Sequence, residues 1–238
     1  MTTLISENHS EPWRRRMFLP NYQVGEAARY AQISPKTVAA WHKIERPTLS
    51  GKERRAALSY MQLIEVAVVA AFRKAGISLK RIRDAREYVK TQLKTEHPFA
   101  EYRFKTEGKH LLVDYQDVEG DGGRGKHLMA DQGGQLEWSE IIGPLLKEFE
   151  YERDGYVIRW HVAGPSSPII IDPRLSFGAP TVKGTPTWVI GGRWKSGESI
   201  IDIANDFDLD KAAIRQALQF EGLSPNKRGK SSRGTVLH

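Results

Sequence analysis

Tyr22–Lys43, YQVGEAARYAQISPKTVAAWHK, is the stretch on which the reading of this chain turns. Val24, Ala27, Ala28 and Ala31 recur three or four residues apart, the period of one buried helical stripe. The period breaks at Ile33-Ser34-Pro35. Ser34 carries a hydroxyl able to cap a second helix, and Pro35 comes next at its first position, where a missing N–H costs nothing. That helix turns Val38 and Trp41 inward and leaves Lys36, Thr37, Ala40 and Lys43 on the other side. Small and basic side chains on one face suit a major groove, where they meet base edges and phosphates. The spacing predicts a helix-turn-helix, with an ordinary two-helix corner as the structural alternative.

The residues after Lys43 extend the pattern. Pro47 stops the second helix near Glu45, and Ser50-Gly51 makes a turn flanked by Lys52, Arg54 and Arg55. A turn beside a recognition helix that carries cations to the neighbouring backbone is a wing. From Ala57 to Lys74 the chain reads as a helix apolar nearly all round, hence buried. Gly76 ends it, Ser78 caps the next helix, and Leu79, Ile82, Ala85, Val89 and Leu93 form the inner stripe of a helix to about Lys94. Lys80, Arg81, Arg83, Arg86 and Lys90 are expected on its outer side. The order EAAR, ISPKTVAAW, basic wing, SYMQLIEV and AFRKAGISLKRIRDA resembles the DNA-binding domain of MerR-type regulators over residues 20 to 95. The resemblance implies that Ser34 to Lys43 enter the major groove and that Lys52 to Arg55 rest on phosphates.

Charge is segregated along the 238 residues. The balance is +10 over residues 1–110, −7 over 111–225 and +4 over the last thirteen. A basic front points to a polyanion partner. There are no cysteines, which excludes disulfide frameworks, thiol catalysis and thiolate zinc fingers and fits a reducing cytoplasm. No apolar run approaches a bilayer span and none resembles a secretion signal, so a cytoplasmic protein without membrane contact is expected. Residues 1–20 read as a flexible basic arm in which Arg14, Arg15 and Arg16 either reach phosphates or are simply solvated.

Residues 97–166 read as a small β-rich insert. Phe99, Tyr102 and Phe104 alternate before Glu107-Gly108, Ser139 to Phe149 has a helical pattern, and Tyr156, Ile158, Trp160 and Val162 alternate again. Two imitations of binding motifs sit here. Gly120 to Lys126 has phosphate-loop spacing, but His127 takes the place of the magnesium-binding hydroxyl and no helix comes after it. Asp117, Glu119 and Asp121 open like a calcium loop, yet Leu128 stands where a bidentate glutamate is needed. The seven histidines are scattered, and no Ser, His and Asp set stands in a catalytic frame. The chain is therefore expected not to be an enzyme and to need no cofactor or metal.

From Ser167 a third unit begins. Ile169 to Ile171 is a short strand turned by Asp172-Pro173; Thr187 to Lys195, Ser199 to Phe207 and a segment capped by Asp210 through Phe220 read as three helices. Ile171-Asp172-Pro173-Arg174, Phe177-Gly178-Ala179-Pro180, Gly184-Thr185, Gly197-Glu198-Ser199, Ile203-Ala204 and Ala217-Leu218-Gln219-Phe220 resemble the small trihelical domain of VapB-type antitoxins paired with PIN-like nucleases. This resemblance covers residues 167–222 and implies a magnesium-dependent ribonuclease toxin as partner. Residues 223–238 are a basic tail in which Lys227, Arg228, Lys230 and Arg233 are candidates to pair with the toxin's metal-binding carboxylates, the alternative being a disordered segment touching DNA or nothing.

The expectation is a mainly α, α+β chain: a winged helix-turn-helix at 21–96, the β-rich insert and the trihelical domain. Its expected role is an antitoxin that represses its own operon as a homodimer, since operators read by such motifs are inverted repeats matched to a two-fold protein. A MerR-type regulator with a ligand-sensing or dimerising distal half is the alternative.

Overall fold

The computed structural model describes residues 12–42, 48–49, 56–101, 143–144, 147–152 and 155–225. The chain divides into two compact units, residues 1–160 and 161–238. Mixed α/β and mostly helical, it holds eight α-helices and five short strands among the described residues.

In the first unit α1 (Pro12–Arg16) leads to α2 (Val24–Tyr30) and α3 (Pro35–Trp41). Where composition suggested an irregular arm, Pro12–Arg16 is helical. Arg14 is ion-paired with Glu152 at 2.5 Å and stacked over the Trp13 ring, and Met17 is buried. Tyr22 and Leu58 then exchange backbone hydrogen bonds, the Leu58 N–H donating at 2.7 Å and the Tyr22 N–H at 2.9 Å. This bridge ties the start of α2 to the start of α4 (Tyr60–Lys74).

Helix α4 begins at Tyr60, three residues later than the apolar run implied. The Ser59 hydroxyl accepts the Gln62 N–H, and the Gln62 side chain accepts the Ser59 N–H. That reciprocal pair fixes the first turn. As its composition requires, α4 is buried on nearly every side. α5 (Leu79–Leu93), capped by Ser78, lays Ile82, Ala85, Val89 and Leu93 inward.

Arg86 departs from the expected outer side. It is buried because its guanidinium donates through Nε and Nη2 to the two oxygens of Glu65 on α4, at 3.1 and 3.2 Å, and Nη2 also reaches the Glu96 carbonyl at 2.7 Å. A charge turned inward by a partner escapes the amphipathic rule.

Phe99 departs too. It lies in the 3-10 turn Pro98–Ala100, set edge-on to Phe72 with centroids 5.7 Å apart. Pro98 has no N–H for a strand ladder, and burial of the ring, worth about 1.5–3 kcal/mol, fixes the turn. Phe149 opens β1 (Phe149–Tyr151) and does not end a helix. It pairs in antiparallel register with Trp160 of β2 (Val157–Trp160), the rings 6.0 Å apart. The expected Tyr102–Phe104 hairpin and both imitation motifs, at 117–128, lie outside the described residues.

In the second unit β3 (Ile169–Ile171) runs antiparallel to β4 (Pro180–Val182), and β4 to β5 (Thr185–Pro186). Lys183 and Gly184 join β4 to β5 with φ of 46° and 85°. Two left-handed residues make the turn that matches strand twist. Three helices complete the unit: α6 (Thr187–Lys195), α7 (Ile200–Asp206) and α8 (Lys211–Phe220). Ser199 and Asp210 accept the Asp202 and Ala213 N–H groups as caps for α7 and α8. Ile190, Ile203, Ala204, Leu209, Ala213, Ile214, Ala217 and Leu218 are buried. Gly191 lies on the inner side of α6, where a Cβ would come within 3.2 Å of the Leu223 side chain, closer than an ordinary contact.

Candidate nucleic-acid interface

α2 ends because the backbone leaves the helical region at Gln32, whose φ is 56°. The Ile33 N–H donates to the Ala28 carbonyl at 2.9 Å, closing the helix end before the chain turns. Ser34 then accepts the Thr37 N–H at 3.1 Å, and the two hydroxyls of Ser34 and Thr37 are 2.8 Å apart. With Pro35 at the first position, the start of α3 is fixed on two counts. Val38 and Trp41 are buried and anchor α3 against the rest of the unit.

This burial sets which side chains remain outside. Ser34, Lys36 and Ala40 are exposed and Thr37 is half-buried. Lys36 and Ala40 are four apart on one helical face, and the alanine keeps that face low. Among the described residues Lys36 forms no ion pair. Lys43, Lys52, Arg54 and Arg55, the other cations expected at this interface, lie outside the described residues.

Beyond α3, two described residues are held to its end. The Thr48 and Leu49 N–H groups donate to the Trp41 carbonyl at 2.8 and 3.1 Å, and Leu49 is buried. Further on, the Leu58 backbone is held to Tyr22. His42, at the C-terminal end of α3, is buried and not a surface side chain.

Among the described residues no group of three or more histidine, aspartate or glutamate side chains is placed to hold a metal. No helix among them is long and apolar enough to cross a membrane. The four tail cations, Lys227, Arg228, Lys230 and Arg233, lie beyond the last described residue.

Two features of the second unit were not read from the sequence. The Arg193 guanidinium is clasped by Glu198 and, at 2.5 Å, by Asp206, and it covers the Phe207 ring at 5.1 Å. Those two carboxylates hold its ionisation even higher than an arginine's ordinary range. Trp188, on α6, is exposed; with Thr187, Ile190 and Gly191 inward, the helical period already places position 188 outside.

Comparison with known proteins gives three results. Residues 169–220 match a family model described as a protein of unknown function, DUF433. A Mycobacterium tuberculosis protein named "Putative antitoxin VapB45" is 24% identical over 227 residues, covering 85% of this chain and 94% of that protein. The X-ray crystal structure of Rv2018 from Mycobacterium tuberculosis superimposes with a TM-score of 0.69 at 21% identity, covering 85% of this chain and 99% of that one. At that identity the last likeness speaks for the fold alone.

Proposed function

We propose that the chain is the antitoxin of a toxin-antitoxin pair, that it neutralises a PIN-like ribonuclease, and that it represses its own operon by binding operator DNA as a homodimer. The observation that carries this reading is the similarity to the protein named "Putative antitoxin VapB45", over 85% of this chain and 94% of that protein. The helix pair α2–α3 supports the DNA-binding half: it is a helix-turn-helix whose outward side offers Ser34, Lys36, Thr37 and Ala40 to a groove. From the sequence, Lys43, Lys52, Arg54 and Arg55 are the further candidates for phosphate contacts. The MerR-like arrangement then serves repression, and the distal domain with its basic tail serves the toxin.

The test is co-expression with the product of the neighbouring reading frame. A stable complex in which that product's ribonuclease activity is silenced, and which retards DNA from its own promoter, is the expected outcome. Absence of any complex, with ribonuclease activity unaffected, rejects the antitoxin reading.

A further inference from the structure

The exposed side of α3 carries little that can hydrogen-bond to a base. Pro35 to Trp41 read PKTVAAW, so the helix has no arginine, asparagine or glutamine, the side chains that grip guanine or adenine edges through paired hydrogen bonds. Val38 and Trp41 are buried. The hydroxyls of Ser34 and Thr37 are 2.8 Å apart, and the Ser34 oxygen also accepts the Thr37 N–H at 3.1 Å, so both are engaged in starting the helix. Thr37 is half-buried besides, which leaves Pro35, Lys36, Ala39 and Ala40 as the exposed residues of α3. Three of those four side chains are apolar and short.

Their spacing joins them. Ala39 and Ala40 stand three and four residues after Lys36, and Ala39 stands four after Pro35, so the four side chains share one face. An alanine there lets the helix backbone come close to whatever the face meets, and it offers van der Waals contact without a donor or acceptor. Most groups on base edges in a major groove are donors and acceptors, which lose water against a methyl group and gain no bond in exchange. The 5-methyl group of thymine is different. It is the one apolar group that the four bases show in that groove, and contact with alanine withdraws it from water at no polar cost.

We propose that α3 reads its DNA site by thymine 5-methyl groups, with Ala39 and Ala40 packing on them while Lys36 meets a phosphate. This deepens the DNA-binding reading given above and rests on it. The site recognised is accordingly one with A·T pairs beneath α3. Its sequence preference is carried by apolar contact, which salt does not screen, whereas Lys36 contributes affinity without regard to sequence.

The test uses the full chain and two promoter duplexes of the same sequence, one of them with deoxyuridine at every thymine. That replacement removes the 5-methyl groups and keeps every hydrogen-bonding group and phosphate. The unaltered chain is expected to bind the uridine duplex at least about fourfold more weakly, the worth of one methyl group withdrawn from water, with an unchanged slope of log affinity against log salt. A duplex of unrelated sequence is expected to be bound alike with thymine and with uridine. Ala39→Ser with Ala40→Ser keeps the face nearly the same size but sets a hydroxyl against each methyl group; it is expected to stay folded by circular dichroism and to narrow the promoter difference to less than about twofold. Equal affinity of the unaltered chain for the two promoter duplexes overturns the proposal and leaves the DNA-binding reading standing. So does a fourfold loss that persists in the double variant, or one equally large on the unrelated duplex. Failure of the unaltered chain to bind either promoter duplex rejects both.

Discussion

Arg86 and Glu65 face each other in the interior of the first unit, the guanidinium 3% exposed and the carboxylate residue 0%, joined by two hydrogen bonds of 3.1 and 3.2 Å. His97 Nδ1 stands 3.2 Å from the same carboxylate. The pair thus fastens α5 to α4 and draws in the turn that carries Phe99. Removing either partner strands a charge out of water, so Glu65→Ala or Arg86→Ala is expected to cost about 3–5 kcal/mol in denaturant unfolding. Glu65→Leu with Arg86→Met is expected to recover most of that loss. A single variant as stable as the parent would contradict the pairing.

The candidate interface predicts a divided response in α3. Lys36 is exposed and Val38 and Trp41 are buried. Lys36→Ala should leave stability unchanged, weaken promoter DNA binding, and lower the slope of log affinity against log salt by about 0.9. Trp41→Ala should instead unfold the helix pair, at about 3–5 kcal/mol. Filter binding across a salt series, with thermal melts, separates the two; a salt slope untouched by Lys36→Ala would remove the residue from the interface.

Ser34 lies between these cases. Its oxygen accepts the Thr37 N–H and so holds the first turn of α3. Ser34→Ala is expected to cost about 1 kcal/mol, and Ser34→Asp, which restores the cap, to regain most of it. Because Asp also brings a negative charge to the side proposed to face DNA, it should restore stability without restoring DNA affinity. Recovery of both would mean that α3 does not face the duplex.

Much of this architecture was legible in the residues, and the failures share a cause. Ser34, Ser78, Ser199 and Asp210 cap helices as their positions before apolar-periodic segments implied, because a cap depends on neighbours three residues away. The Ser59 and Gln62 pair carries the same signal and would have placed the start of α4 correctly. Arg86 was misplaced because its partner is twenty-one residues distant, beyond the reach of helical periodicity. Phe99 and Phe149 were misplaced because their conformations depend on ring contacts with Phe72 and Trp160, across helices and strands. At the candidate interface, the outward setting of Lys36 and Ala40 was readable once Val38 and Trp41 were recognised as core. In the second unit, the exposed setting of Phe177 was not, since positive φ values at Ser176 and Phe177 leave no mark in composition.

Stability should fall in alkali through Tyr151. Its hydroxyl is enclosed, and burial raises its ionisation well above the ordinary tyrosine value. Tyr156 shifts the same way, by burial first and then by the charge of Glu101, against a smaller opposing hydrogen bond from Thr95. A phenol that ionises more readily unfolded than folded favours unfolding as pH rises. The stability it lends is fully present below about pH 10, the ordinary tyrosine value, and declines above it. Urea midpoints measured from about pH 8 to 11, on either side of that value, should drop in the parent and less in Tyr151→Phe; parallel curves would exclude the enclosed phenol as the cause.

Gln32 offers a test of the turn between α2 and α3 that leaves the outward side untouched. Its φ of 56° is in the left-handed region, where a Cβ crowds the following carbonyl and glycine does not. The position is exposed, so no packing is lost on shortening the side chain. Gln32→Gly should therefore raise stability by about 0.5–1 kcal/mol, the relief of strain exceeding the added freedom of the unfolded chain. Gln32→Val should lower it, because a β-branched residue tolerates that φ least. Promoter affinity should stay at the parental level in Gln32→Gly, since Ser34, Lys36 and Ala40 are unchanged. If Gln32→Gly destabilises the unit, the turn does not adopt the left-handed geometry that sets the angle between α2 and α3.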